Sequence, residues 1–156
     1  MFQKKIIILF LLLLSSCGYE AIYSKKNSSN YDFSISDLSF VGDRAVNLKI
    51  KQKLSNFTQS KKDKDLIIKI SSSSEKIVLA KNTAGDTTSF KNTISINVDV
   101  LMNNKFKSNF IILENFHYNN ISNKFNLKKY EQEIKANLAE TASDKLIFKL
   151  SNIQWY

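Results

Sequence analysis

The chain has 156 residues, a one-domain length, and its 43% hydrophobic and 24% charged content excludes a disordered tail. Lys and Arg number 23 against 14 Asp and Glu, a net charge of +9, which excludes an acidic binder and favours an anionic partner. One Cys excludes an internal disulfide and a cysteine-rich zinc site, and one His argues against a His-based metal cage.

Three Gly and no Pro leave no Gly-rich phosphate loop. Every basic residue except Arg44 is Lys, and Lys, Asn, Ile and Ser are abundant. That bias follows AT-rich coding, so the charge is discounted as a ligand signal. Lys is a point charge rather than a bidentate fork, and sequence-specific reading of nucleic acid is not expected.

The N-terminus carries the sharpest pattern. Lys4 and Lys5 precede the apolar run Ile6 to Leu14, followed by Leu14-Ser15-Ser16-Cys17. A positive end, a short apolar stretch and small residues form a secretory signal peptide. The run is shorter than the roughly 20 residues needed to span a bilayer. The sole Cys stands where a bacterial lipobox places its acceptor. Residues 1–16 are therefore read as a lipoprotein signal peptide. Cys17 is the lipidation site, carrying diacylglycerol on its thiol and an acyl chain such as palmitate on its amine. More than one chain makes a stable anchor, at about 0.8 kcal/mol per buried CH₂. Cleavage leaves 140 residues and removes two of the 23 basic residues, giving +7 against 14 acidic ones. A membrane surface outside the cytoplasm lowers nucleic acid as a partner and raises anionic lipid. Gly18, rather than Asp, follows the Cys and is compatible with outer-membrane sorting.

Residues 17–30 are short, polar and rich in Ser, Asn and Lys after Tyr19–Tyr23, and read as a tether. Residues 31–156 form the domain. Phe33 to Phe40 is a first strand, with Phe33 and Ile35 on one parity and Leu38 and Phe40 on the other. The switch at Asp37 suggests a bulge or a strand end. Asp43 caps a helix whose Val46, Ile50, Leu54 and Phe57 fall within about 80° of one another, ending near Gln59. Lys61 to Asp65 is a solvated turn.

Three strands follow. Leu66, Ile68 and Ile70 share even parity. So do Phe90, Ile94, Ile96, Val98, Val100 and Met102, and Phe106, Phe110, Ile112, Phe116 and Tyr118. Odd positions carry Lys69, Lys91, Thr93, Ser95, Asn97, Asp99, Lys107 and Asn109. One buried and one wet face is the mark of antiparallel strands. For even to meet even, each hairpin loop needs an odd number of residues. The spacing predicts a three-residue loop Asn103-Asn104-Lys105, pairing Met102 with Phe106 and Val98 with Phe110. The preceding hairpin is placed on Gly85, with Ala84-Gly85-Asp86 at its tip. It is long, with a polar waist at Ser71 to Ser74, and its end is expected to project beyond the core. Glu114 falls on the apolar parity opposite Ile94, either as a buried acid or, the preferred expectation, carried to solvent by strand twist.

The last helix is placed from an Asn126 cap, with Leu127, Tyr130, Ile134, Leu138, Thr141 and Ala142 on one face. Trp155-Tyr156 reads equally as a core plug or an exposed contact. The order β-α-β-β-β-α predicts an α+β fold: two helices on one face of a four-stranded, mostly antiparallel sheet. The first strand can lie parallel to its neighbour, because a helix follows it.

No catalytic constellation stands out. His117 lies on the wet parity with no nominated nucleophile, so an enzyme is not expected. No cofactor is implied. Lys69, Lys76, Lys81, Lys91 and Lys107, with Lys105, are assigned to the wet face and hairpin ends. There they are either ordinary solvated lysines or contacts to lipid phosphates or an acidic protein wall.

The sequence also resembles a family. Cys17-Gly18-Tyr19 followed by Ile22-Tyr23 is similar to the start of the alphaproteobacterial LPS-assembly lipoprotein family, LptE. Asp43-Arg44 opening a helix that ends in Lys53-Leu54 resembles that family's first helix. Ile77-Val78-Leu79-Ala80 and Asp86-Thr87-Thr88 resemble its central hairpin, and Tyr130-Glu131-Gln132-Glu133 through Asp144-Lys145-Leu146 its closing helix. The likeness spans the mature chain as a pattern of elements. It implies two helices on a four-stranded sheet, seated as a plug in the outer-membrane LptD barrel. It also implies a role in barrel assembly, contact with anionic lipopolysaccharide, and a lipid-anchored outer-membrane location facing the periplasm or the barrel lumen. Another outer-membrane lipoprotein accessory factor, in general barrel assembly or envelope structure, is the alternative.

Overall fold

The structure, a computed structural model, describes residues 31–59 and 61–153. The segments read as signal peptide and tether, with Cys17, and Trp155-Tyr156 lie outside the described residues.

Strand β1 (Ser34–Gly42) leads into helix α1 (Arg44–Leu54) and a 3₁₀ turn at Ser55–Phe57. Strands β2 (Asp65–Lys81), β3 (Thr87–Met102) and β4 (Lys105–Asn119) follow, then helix α2 (Lys124–Ser151). The sheet order is β1-β2-β3-β4, with β1 parallel to β2 and the other pairs antiparallel. This is the expected α+β arrangement.

Even-parity side chains of the sheet meet both helices. Val46, Ile50 and Leu54 from α1 and Leu138, Ala142, Leu146 and Leu150 from α2 close over Leu66, Ile68, Ile94, Ile96, Val98 and Val100. Each buried Leu, Ile or Val stabilises by about 1.5–3 kcal/mol relative to exposure. The parity switch in β1 is a bulge between Ile35 and Asp37. The extra residue lets Ile35 pair with Leu66 and Phe40 with Ile70, so both halves of the strand face the helices.

The hairpins correct the expected loops. Met102 pairs with Lys105, not Phe106, across a two-residue Asn103-Asn104 turn. Both asparagines have positive φ, at 53° and 59°, as the mirror-image hairpin turn requires. A register shift between Val100 and Leu101 then restores the predicted Val98–Phe110 pair. A bulge in β4 did what the odd-length loop was meant to do. Phe106 consequently lies opposite Leu101, on the outer face, 64% exposed. In the first hairpin, Ile70 pairs with Val98 and Val78 with Phe90, which centres it on Ala84 rather than Gly85. Gly85 still supplies the positive φ, at 88°. Every residue from Glu75 to Asp86 is exposed, so the hairpin end projects as expected.

Two helix boundaries and two exposures differ from expectation. The α-helical part of α1 stops at Leu54, with only the 3₁₀ turn beyond. Asn123, not Asn126, caps α2, accepting from the amides of Phe125 and Asn126. Thr141 is exposed rather than part of the buried stripe, and Tyr130 is only partly covered.

Candidate functional site

The polar waist of β2 is matched from the helix side. Gly42 sits at φ +100°, and a Cβ there would come within 1.8 Å of the Ser72 carbonyl oxygen. That close approach lets the Asp43 amide donate to the same carbonyl at 3.0 Å. Asp43 Oδ1 caps α1 by accepting from Ala45 and Val46. Its Oδ2 accepts from Ser74 Oγ at 2.5 Å and from Lys135 Nζ at 2.9 Å. Ser72 Oγ donates to Asn47 Oδ1 at 2.7 Å. Burial alone would raise the Asp43 pKa, but the bonds from Ser74, Lys135 and Val46 and the Lys135 charge outweigh it and bring it to about 2. The serines that weaken the apolar pattern are thus satisfied partners of a helix cap.

A second polar chain lies further along β2. Lys76 Nζ is 2.5 Å from Glu131 Oε1 and 3.9 Å from the centroid of the Phe90 ring. Tyr118 donates to the same Glu131 oxygen at 2.9 Å. Burial raises the Tyr118 pKa, and the bond to Glu131 and its charge raise it further. Tyr118 and Tyr130 meet edge to face at 5.9 Å. Beside them opens a cleft of about 640 Å³, lined by Leu79, Ser89, His117, Tyr118, Asn120 and Tyr130 among others. Asn120 is fixed by donating to the Thr87 carbonyl at 2.8 Å. Ring edges, amides and one exposed imidazole give this cleft a mixed aromatic and polar lining. Among the described residues no group of three His, Cys, Asp or Glu could hold a metal.

The five candidate lysines do not converge. Lys81 and Lys91 share the outer face at the hairpin end, and Lys91 pairs across to His117. Lys69 lies opposite Asp99, eight residues along β3 from Lys91, or about 27 Å at strand rise. Lys107 sits at the bulge beside the β3–β4 turn. Lys76 departs from its expected place: it points to the helix side, held by Glu131.

The outer face is a broad polar sheet that neither helix covers. Its rows run Lys69–Asp99–Asn109, Ser71–Asn97–Ile111, Ser73–Ser95–Leu113 and Glu75–Thr93–Asn115. Asn109 Nδ2 donates to Asn97 and Asp99 at 2.9 and 2.7 Å, tying the face together. Ile111 and Leu113, 57% and 61% exposed, add an apolar border on β4. Their odd parity in the sequence is the signal that places them on this face.

Glu114 is also corrected. It does pair with Ile94, but its side chain is only 12% exposed and lies on the helix side, with Lys145 Nζ 2.5 Å from Oε1. Lys145, two turns before the end of α2, makes burial tolerable.

No family model matches the chain, and no curated protein matches it. Solved structures do. The chain shares its fold with bacterial lipoproteins. Rare lipoprotein B from Shewanella oneidensis aligns at 14% identity and TM-score 0.57, covering 73% of this chain and 92% of that one. Lipoprotein B from Nitrosomonas europaea aligns at 15% and 0.58, covering 78% and 83%. A minor lipoprotein from Acinetobacter baumannii aligns at 8% and 0.57, covering 78% and 91%. At these identities the likeness is one of fold.

Proposed function

We propose that this chain is an outer-membrane lipoprotein, anchored through acylated Cys17, that plugs the LptD barrel during lipopolysaccharide transport. The observation that carries the reading is the uncovered outer face: rows rich in Ser, Thr, Asn and Lys, with Asp99 and Glu75 among them and exposed apolar side chains at Ile111, Leu113 and Phe106 on β4. Such a face suits enclosure by the polar wall of a barrel lumen. The lipobox-like leader and the fold shared with lipoproteins support the anchor. Its work is occupancy and contact rather than catalysis. At the hairpin end Lys81 and Lys91 stand near the aromatic, amide-lined cleft, which suits a phosphorylated glycolipid: cations for phosphates, rings and amides for sugar. The test is co-purification of the lipid-anchored protein from outer membrane, with mass-spectrometric identification of what accompanies it. LptD is the expected partner, and depletion should reduce lipopolysaccharide at the cell surface. Recovery of another barrel, or unchanged surface display on depletion, would move the protein to general barrel assembly or envelope structure.

A further inference from the structure

The two edges of the sheet are treated differently. β1 carries a bulge between Ile35 and Asp37, and Asp37 faces outward on it. Charge and a bulge are the ordinary protection of an exposed edge. β4 has neither along most of its length. From Ser108 to Asn119 it contains no Pro or Lys, its register with β3 is unbroken, and its single acid, Glu114, is turned inward to Lys145. Its far edge has no partner strand among the described residues. Ile111, Leu113 and Phe116 are 57%, 61% and 45% exposed along it.

The strand also matches itself. Antiparallel pairing of β4 with a second copy about Ile112 sets Ile111 against Leu113 of that copy, and Leu113 against its Ile111, all on one face. Asn109 meets Asn115. Phe110 meets Glu114, and Lys149 Nζ lies 5.2 Å from the Phe110 ring centroid. Each inward-turned acid is therefore brought towards a cation of the other copy, as well as its own Lys145. Within the strands no like charges face each other from Asn109 to Asn115; on the helix side Lys145 and Lys149 of each copy lean over Glu114 and Phe110. A twofold arrangement of this kind closes on itself rather than propagating.

We propose that β4 is a homodimer edge, joining two copies into one eight-stranded sheet with Ile111 and Leu113 packed across the twofold. This goes beyond the barrel reading and does not depend on it. One strand pair buries less than a permanent interface, so the dimer is dissociable and its edge can be given up to another partner.

Two measurements test it. Sedimentation equilibrium of the mature chain with Cys17→Ser should show a dimer. Leu113→Lys should halve the mass with an unchanged circular dichroism spectrum. In the lipidated protein the Cys17 thiol is consumed by its thioether, so Ile111→Cys with Leu113→Cys introduces the only thiols. Mild oxidation in membranes should trap a disulfide-linked dimer, whereas Ser39→Cys on the opposite edge should not. A monomer at all soluble concentrations would overturn the proposal, and so would cross-linking equal to that of the Ser39→Cys control. Neither outcome bears on recovery of LptD, which is read in the separate pull-down.

Discussion

Lys135 on α2 reaches Asp43 at the start of α1, Nζ to Oδ2 at 2.9 Å, and in the same position donates to Ser74 of β2 at 2.8 Å. One ammonium thus joins both helices to the sheet. Asp43 is 17% and Lys135 33% exposed at the side chain, so the pair is only partly screened. Lys135→Met should leave Asp43 short of a donor and cost about 1–3 kcal/mol in urea unfolding. Asp43→Ala loses the cap as well and should cost more, about 2–4 kcal/mol.

The same carboxylate makes a pH prediction. Its folded pKa of about 2 lies below the ordinary aspartate value of 3.8, so its contribution is fully present above the unfolded pKa. That contribution is lost as pH falls through 3.8 towards 2, and amounts to about 2 kcal/mol. Unfolding free energy measured from pH 6 down to pH 2 should therefore drop in this window. Asp43→Asn, which still caps the helix, should flatten that part of the curve. An identical slope in the variant would refute the assignment.

Glu114 and Lys145 should be unequal partners. Lys145→Ala leaves a buried acid without its cation and should cost about 1–3 kcal/mol. Combining it with Glu114→Leu should recover most of that loss, because an apolar side chain suits the neighbouring Ile94. A double-mutant cycle by chemical denaturation reads the coupling directly.

Gly42→Ala is expected to be the most damaging small substitution. It combines a strained positive φ with a 1.8 Å approach to the Ser72 carbonyl, a backbone atom that cannot step aside. A cost of about 3 kcal/mol or more is expected, seen as a large loss of thermal stability or as insoluble protein. Gly85→Ala should cost much less, about 1 kcal/mol, since open space surrounds that turn position.

At the β3–β4 turn, Asn104→Gly should stabilise slightly, by about 0.5 kcal/mol, because glycine adopts positive φ without a Cβ. Asn104→Val should destabilise by about 1–2 kcal/mol. Differential scanning calorimetry separates the two in sign.

Much of this fold was legible because parity is a rigid rule: once Leu66, Ile68 and Ile70 shared a face with Ile94, Ile96, Val98 and Ile112, the sheet and its wet side followed. The turn was misread for the same reason. Parity counts residues between strands, and a bulge changes the count without leaving a compositional mark. Lys107 looks like any other polar residue on the wet face. Glu114 was misplaced because its partner, Lys145, is 31 residues away on an element whose rotation the local pattern does not set. The Ser71 to Ser74 waist read as polarity, and its purpose became clear only when Asp43, Asn47 and Lys135 were brought against it. The scattered lysines show the limit of charge as a clue. Lys76 is held by Glu131 on the helix side of the sheet, and Lys69 and Lys91 lie at opposite ends of the outer face.

The start of the domain has a mechanical meaning. Phe33 stacks on Phe57 at 5.0 Å with rings 3° from parallel, and Tyr31 meets both at 6.0 and 5.5 Å. Lys62 donates to the Tyr31 carbonyl, Lys64 pairs with Asp32 at 2.6 Å, and the Ser34 amide donates to the Lys64 carbonyl at 2.8 Å. Any tension arriving along the chain from residues before Tyr31 therefore enters at a reinforced seam. Aromatic stacking, lysine bridges and the first rungs of β1–β2 pairing must yield there together before the sheet can begin to peel.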